Sequence, residues 1–315
     1  VERWPAEKGV PRCTFCIEPA VLLDRTSGRH LCGTHLVSDI TDRVAATIRE
    51  EGMIAQSDRV AVALSGGKDS TALLMLLSRI VPQFENVSLV AITIDEGIAG
   101  YRDETVRSAE TLVRSLGVEH VMVSFAGLFG ESLDTLLRGR EKEACTVCGI
   151  LRRKALIAGA EQAGATKLAT GHNLDDEAQS VLMNVLRGDF SRLARNSGTD
   201  SSGRFIPRIK PLVKVAEKEI ALFLLLSNAW TDLPECPYAR YALRREVRTM
   251  LAGLEYRHPG TMLHLLESKK KIETHCAATL APEPIRSCRS CGDPCSGELC
   301  QLCQLKRSFG GNRFR

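Results

Sequence analysis

RVAVALSGGKDSTALLMLLSRI, residues 59–80, decides the fold. RVAVAL (59–64) reads as a strand buried on both faces. TALLMLLSRI (71–80) reads as the helix that follows it. SGGKDS (65–70) is the turn between them. Gly66 and Gly67 remove side chains, so backbone N–H groups converge on an anion at the start of the helix. Lys68 can neutralise phosphate charge. Ser65 and Ser70 can donate hydrogen bonds, and Asp69 can orient Mg2+ or a nucleotide group. The stretch is neither a Walker A loop nor GxGxxG. The residues alone establish an anion site at the carboxyl edge of a strand.

Working outward, the strand–helix alternation continues. NVSLVAITID (86–95) and HVMVSF (120–125) read as strands, separated by the helix 102–117. A polar stretch runs to Ala144, followed by a CxxCG turn and the helix 150–164. KLATG (167–171) is the fourth strand, and 173–188 opens a helix at its acidic end. This pattern predicts an α/β fold, a mostly parallel sheet sandwiched by helices. Upstream, 38–51 reads as a helix capped by Ser38 or Asp39 and stopped by Gly52. Downstream, 189–205 reads as a mobile loop, 205–213 as extended, and 216–230, 238–252 and 259–271 as helices. The expected units are a metal-binding module (1–36), a linking helix (37–57), a catalytic domain with a helical extension (58–275), and a second metal-binding module with a basic tail (276–315).

GHNLDDEAQ (171–179) also follows a strand, so it should reach the same sheet edge. Gly171, His172, Asp175 and Asp176 are candidates there. The paired acids suit Mg2+, while helix capping by Asn173 and the acids is the alternative. Asp95 ends a strand at that edge, and Lys210 in RIKP is a further cationic candidate.

Twelve cysteines stand among 315 residues. CxxC pairs without a secretory segment favour thiolates on metal over disulfides. Cys13, Cys16, Cys32 and His35 form one four-ligand set, and Cys288, Cys291, Cys300 and Cys303 another. Each suits one tetrahedral Zn2+. The N-terminal module has too little apolar content to fold on burial alone, and a metal would supply the deficit. Cys145, Cys148 and distant Cys236 form an incomplete third set, expected to face the cavity of the phosphate loop. Three thiolates suit an iron–sulfur cluster with one unligated iron, a zinc with one open position, or persulfide chemistry. Cys276 and Cys295 fit none of these sets.

Hydrophobic residues make up 44 % of the chain and aromatics 5 %, so the core is mostly aliphatic. No apolar run reaches membrane-spanning length. VERWPAEKG carries no hydrophobic targeting segment, and Val1 in place of Met leaves room for residues upstream. The net charge of +4 is concentrated in clusters at Arg138–Lys154, Arg240–Arg248 and Lys306–Arg315. Solvated helix faces explain any one of these; together they suit a polyphosphate partner such as nucleic acid.

SGGKDS matches the signature of the PP-loop ATP pyrophosphatases. Within that class the chain resembles the tRNA 2-thiouridine synthetases of the archaeal and eukaryotic cytosolic type. The resemblance rests on SGGKDST (65–71), IDEGIAGYR (94–102), ACTVCGILRR (144–153), ATGHNLDDEAQ (169–179), LMNVLRGD (182–189), RIKPL (208–212), ECPYA (235–239), HPG (258–260) and the terminal cysteine pairs. It implies an ATP site at Ser65–Ser70 and a [4Fe-4S] cluster on Cys145, Cys148 and Cys236, whose unique iron takes the sulfur to be transferred. It implies adenylation of the uridine C2 oxygen with release of pyrophosphate, then displacement of AMP by sulfur. Lys68, Asp69 and Asp175 would serve the first step, and the cysteines the second. Arg152, Arg153 and Lys154 would steer the tRNA. IDEGIAGYR and LMNVLRGD look like the branch acting on wobble uridine 34; the alternative is position 54. The family further implies a cytoplasmic homodimer supplied by sulfide or a thiocarboxylated ubiquitin-like carrier. Two rival readings are another PP-loop enzyme, amidating or lysidine-forming, and a zinc-ribbon RNA-binding protein without catalysis.

Overall fold

The computed structural model describes residues 10–194, 206–239, 244–276 and 286–310. In chain order the elements are β1 (Leu22–Asp24), β2 (Arg29–Leu31), α1 (Gly33–Glu50), β3 (Arg59–Ala63), α2 (Lys68–Ile80), β4 (Ser88–Asp95), α3 (Arg102–Leu116), β5 (Glu119–Ser124), α4 (Phe125–Phe129), α5 (Leu133–Leu136) and α6 (Ala144–Gln162). They continue with β6 (Lys167–Ala169), α7 (Leu174–Leu186), α8 (Phe190–Ala194), β7 (Arg208–Ile209), α9 (Glu217–Leu226), α10 (Arg244–Arg257), α11 (Thr261–Cys276), β8 (Arg286–Ser287), β9 (Pro294–Cys295) and α12 (Gln301–Ser308).

The five central strands form one sheet in the order β5-β4-β3-β6-β7, all parallel. The chain runs from β3 outward to β5, then returns to the other side of β3 for β6 and β7. The strand order therefore reverses beside β3, where open α/β sheets bind ligands.

Side-chain alternation sends the sheet's bulk to both faces. Val60, Val62 and Leu64 pack with α1, α2 and α9 on one side, against Leu36, Leu73, Leu77 and Phe223. Val90, Ile92 and Ile94 face the other way, against Phe125, Leu133, Val147 and Leu151. Helix α6 comes close to this second face at Gly159, where a Cβ would meet Ile92 Cγ2 at 2.8 Å. A third apolar group joins α7 to α10 and α11 through Leu174, Ala178, Val247, Leu251 and Met262.

Helix α1 anchors the N-terminal module. Leu36, Ile40, Val44 and Ile48 recur along one face and are all fully buried; each such side chain contributes about 1.5–3 kcal/mol. The expected boundary between residues 36 and 37 falls inside this helix, and His35 lies in its first turn.

The parallel sheet agrees with the sequence pattern, and several local expectations change. Helix α1 starts at Gly33 with Cys32 at its N-cap, so Ser38 and Asp39 lie inside it and do not cap it. The helix expected at 238–252 runs from Arg244 to Arg257. The CxxC is not a turn before a helix: α6 begins at Ala144, so Cys145 and Cys148 lie on its first turn, on one face. Within 205–213 only Arg208–Ile209 pairs, as a short edge strand. Of the expected loop 189–205, residues 190–194 are helical, and 195–205 lie outside the described residues.

Candidate active site

The phosphate loop follows from backbone geometry. Gly66 has φ +86°, and a Cβ there would stand 2.0 Å from the Thr105 carbonyl oxygen. Only glycine fits. Gly67 caps α2 with extended backbone and no side-chain cap, so the first N–H groups of α2 are available to an anion. Ser70 Oγ accepts from Ser65 N at 3.1 Å and donates to the Gly67 carbonyl at 2.9 Å, tying the loop to itself.

Lys68 Nζ lies 2.8 Å from Asp69 Oδ2 and 2.8 Å from Glu217 Oε1. Burial works against its charge, but the two carboxylates outweigh it and hold the ammonium above its usual range. The lysine is thus a fixed cation beside the loop. Asp69 Oδ1 accepts from Asn173 Nδ2 at 2.9 Å. Gly171 lies close behind, where a Cβ would be 3.0 Å from the Asp69 carbonyl carbon. The loops after β3 and β6 therefore form one surface.

The acids of GHNLDDEAQ have capping partners. Asp176 completes a capping box with Asn173 on α7 and pairs with Arg244 at 3.6 Å. Asp175 Oδ2 accepts from the Glu217 N–H at 2.7 Å, and burial raises its pKa. Asp95 Oδ1 accepts from its own loop at Gly97 N, 2.9 Å. His172 bonds Thr170 Oγ1 through Nδ1 at 2.9 Å; burial and then Lys210 lower its pKa. Lys210 pairs at 2.5 Å with Glu177, a buried acid that sequence reasoning did not select. A cavity of about 1150 Å3 opens beside Lys68 and Asp175, lined also by Arg25, Glu217, Trp230 and Tyr256.

Of the phosphate loop, only Lys68 lines that cavity, and the cysteine triad lies outside its walls. Helix α6 packs on β4 and β5, so the triad stands on that flank of the loop. Cys145 is exposed, Cys148 buried and Cys236 half-buried. Burial pushes the Cys148 thiol up to about 11, and Cys236 and Cys145 add to the rise. Arg152 Nη2 lies 3.3 Å from Cys148 Sγ. The Cys236 segment is tied down by Tyr238, whose hydroxyl donates to Asp134 at 2.8 Å and whose carbonyl is 3.9 Å from Cys145 Sγ.

Metal fit separates the three sets. Among the described residues, the groups whose ligand atoms lie within 4.8 Å of one another are Cys13, Cys16, Cys32, His35 and Cys288, Cys291, Cys300, Cys303. Cys32 Sγ lies 3.2 Å from His35 Nδ1, and Cys291 Sγ is 3.5 Å from Cys300 Sγ. That is single-ion spacing for tetrahedral Zn2+. The triad does not reach it, which disfavours one zinc. Three thiols spaced wider than one ion's ligands are the donor set of a cluster, whose thiolates each go to a different iron. Cys295 bonds the Gly297 carbonyl at 3.1 Å, outside the tetrad.

The three basic residues after the CxxC all have partners within the chain. Arg152 pairs with Glu96 at 2.7 Å, Arg153 donates to Gln301 at 2.9 Å, and Lys154 pairs with Asp293 at 2.8 Å. The last two hold the C-terminal module on α6. Leu305 and Phe309 of that module join the core around Val147 and Cys148, and Arg140 sits 3.9 Å over the Phe309 ring.

A parallel sheet with an uncapped SGGKDS loop at its switch point defines a PP-loop protein, and residues 36–251 match the PP-loop domain family model. Similarity extends well beyond that domain. The chain is 35 % identical to the tRNA 2-thiolation protein NcsA of Haloferax volcanii, over 94 % of this chain and 98 % of the relative. It is 38 % identical to the cytoplasmic tRNA 2-thiolation protein 1 of Bos taurus, over 97 % and 90 %. The solved U34-tRNA thiolase NcsA of Methanococcus maripaludis, with its [4Fe-4S] cluster, superposes with a TM-score of 0.83 at 30 % identity, covering 95 % of this chain and 96 % of that one. The chain belongs to the PP-loop family of tRNA 2-thiolation proteins.

Proposed function

We propose that this protein is an ATP-dependent tRNA-uridine 2-sulfurtransferase acting on wobble uridine 34. The observation that carries this reading is the pairing, on one sheet, of an uncapped phosphate loop with an open three-thiol site. The similarity to a solved thiolase described as acting on U34 supports the choice of position.

The chain's own groups account for the first step. Backbone N–H groups of Gly67 to Ser70 and the Lys68 ammonium hold the ATP phosphates and stabilise charge developing there. Lys68 exchanges a carboxylate partner for phosphate. Asn173 keeps Asp69 oriented, so that Asp69 and Asp175 serve a Mg2+ ion accompanying the nucleotide. Gly171, His172, Asp176, Asp95 and Lys210 complete the rim. The uridine C2 oxygen bonds to the α-phosphorus and pyrophosphate departs. A sulfur nucleophile then adds at C2, and AMP leaves with the former C2 oxygen. When bound by Cys145, Cys148 and Cys236, a [4Fe-4S] cluster supplies a place for labile sulfur. Arg152 keeps a positive charge beside Cys148.

The two tetrads each hold Zn2+ and build the terminal modules, 1–36 and 276–315, around the 58–275 domain and its linking helix. RNA lies across them, with the exposed edges of Arg152, Arg153 and Lys154 turned toward it, and the base leaves its stack to react. No described helix is long and apolar enough to cross a membrane. A cytoplasmic homodimer supplied by sulfide or a thiocarboxylated ubiquitin-like carrier completes the reading.

The test is anaerobic reconstitution with iron and sulfide, then mass mapping of tRNA nucleosides after incubation with ATP. The expected product is 2-thiouridine at position 34, lost in Cys236→Ala while ATP binding persists. Thiolation at 54 would reassign the position. Full activity of Cys236→Ala would overturn the three-thiol site.

A further inference from the structure

A chain of buried charge runs from the phosphate loop to the cysteines. Glu96 is 2 % exposed and Arg102 3 %. Glu96 follows the end of β4, and its backbone carbonyl accepts from Leu133 N at 2.8 Å. One carboxylate oxygen faces Arg102 Nε at 2.7 Å, and the other faces Arg152 Nε at 2.7 Å. Arg102 reaches the phosphate loop: Nη1 donates to the Ser65 carbonyl at 2.9 Å and to Thr105 Oγ1 at 2.8 Å, and Nη2 donates to the Ile94 carbonyl. Arg152 reaches the triad at Cys148 Sγ, 3.3 Å away. The loop also rests directly on α3, since Gly66 leaves no room above Thr105.

A buried ion triad of this kind is an inefficient way to gain stability, because desolvation offsets much of the attraction. Arg102 Nε and Glu96 Oε2 pair without a well-aligned hydrogen bond, so stability alone does not explain the placement. What the arrangement supplies is a fixed relation between two loops. The Ser65 carbonyl is thus connected, through Arg102 and Glu96, to the guanidinium beside Cys148.

We infer that Glu96 is a positioning residue that couples occupancy of the phosphate loop to the cysteine triad. The inference rests on the functional reading above, with ATP on the loop and a cluster on the cysteines. Nucleotide binding then alters the triad, and by thermodynamic linkage cluster loading alters nucleotide affinity by the same factor.

The experiment uses reconstituted protein and the non-reacting analogue α,β-methylene-ATP. Iron retained at equilibrium across a graded series of chelator concentrations is measured with and without the analogue, and analogue affinity is measured with and without the cluster. In the wild type both ratios are expected to depart from unity by about 5-fold or more. In Glu96→Gln, which keeps shape and removes charge, both should fall to near unity. A merely structural role would lower melting temperature and iron content but leave the ratios intact. Arg152→Lys, at a half-exposed side chain, carries the same comparison if Glu96→Gln does not fold. Loaded wild type with ratios of unity, or a folded variant with wild-type ratios, overturns the coupling alone. Wild type that takes up no iron or binds no nucleotide overturns the functional reading and the inference with it.

Discussion

The terminal tetrads and the central triad use the same side chain in opposite ways. Each tetrad draws its ligands from two neighbouring turns and brings them within 4.8 Å. Among the described residues, the C-terminal tetrad's own cluster is Cys288, Cys300 and Cys303, with Cys295, Leu299 and Leu302 packed against them, while Leu305 and Phe309 belong to the core on α6. With Zn2+ on the tetrads, as proposed, the metal supplements so small a core, and its removal is expected to unfold the module. The triad is set into a core that is already complete. Val147 and Leu151 flank Cys148 and are essentially buried. On the proposed reading its thiols serve chemistry, and a core of many aliphatic side chains surrounds them. The proposed roles follow this difference: thiolates that build structure where burial is scarce, and thiolates that serve chemistry where burial is ample.

The sharpest way to break this contrast is a pair of variants. Cys300→Ser is expected to release zinc and free residues 286–310 to protease, with the loss of several kcal/mol of module stability. Cys236→Ala should leave the melting temperature within about 2 °C, since trimming one half-buried thiol at the margin of the core costs little, while thiolation disappears. Equal loss of stability in both would end the distinction.

Lys68→Ala removes the loop's fixed cation. We expect adenylation, read as pyrophosphate release with tRNA, to fall about 100-fold or more, with iron content unchanged. Gly66→Ala should act on the same step through backbone. Its Cβ would overlap the Thr105 carbonyl, and a strained positive φ costs about 1–3 kcal/mol; lowered thermal stability with weakened ATP binding is the expected pair of readouts.

The smallest effect comes from a group remote from both kinds of site. His120 on β5 lies 2.8 Å from Thr93 Oγ1, and burial lowers its pKa below the ordinary imidazole value of 6.5. The unfolded chain binds the proton more readily, so stability is full above pH 6.5 and declines as pH falls through the folded pKa. His120→Gln should flatten the melting temperature across that window by a small amount. This separates the fold's own acid sensitivity from loss of metal.

The sequence alone carried whatever a contiguous run of backbone can define. SGGKDS between a strand and a helix specified the anion loop, because Gly66 and the α2 N-terminus shape it locally. The two tetrads were legible for the same reason, with ligand pairs on neighbouring turns. Strand–helix alternation gave the parallel sheet. The triad was nameable through its resemblance, but its spacing left cluster, zinc and persulfide open.

Tertiary structure decided what depends on distant parts of the chain meeting. It brought Glu96 from the end of β4 to Arg152 beside Cys148, and it placed Cys236 on a segment that meets Cys145. It brought Arg153 and Lys154 onto the C-terminal module, and it turned Asp175 toward the α9 backbone. Glu96 and Arg102 stood inside IDEGIAGYR, yet nothing in that string says that one carboxylate would bridge two arginines from different helices. The physical reason is common to all of these. A contiguous turn encodes its own geometry, whereas a buried charge finds its partner only when packing brings helices together and removes the water that would otherwise solvate it.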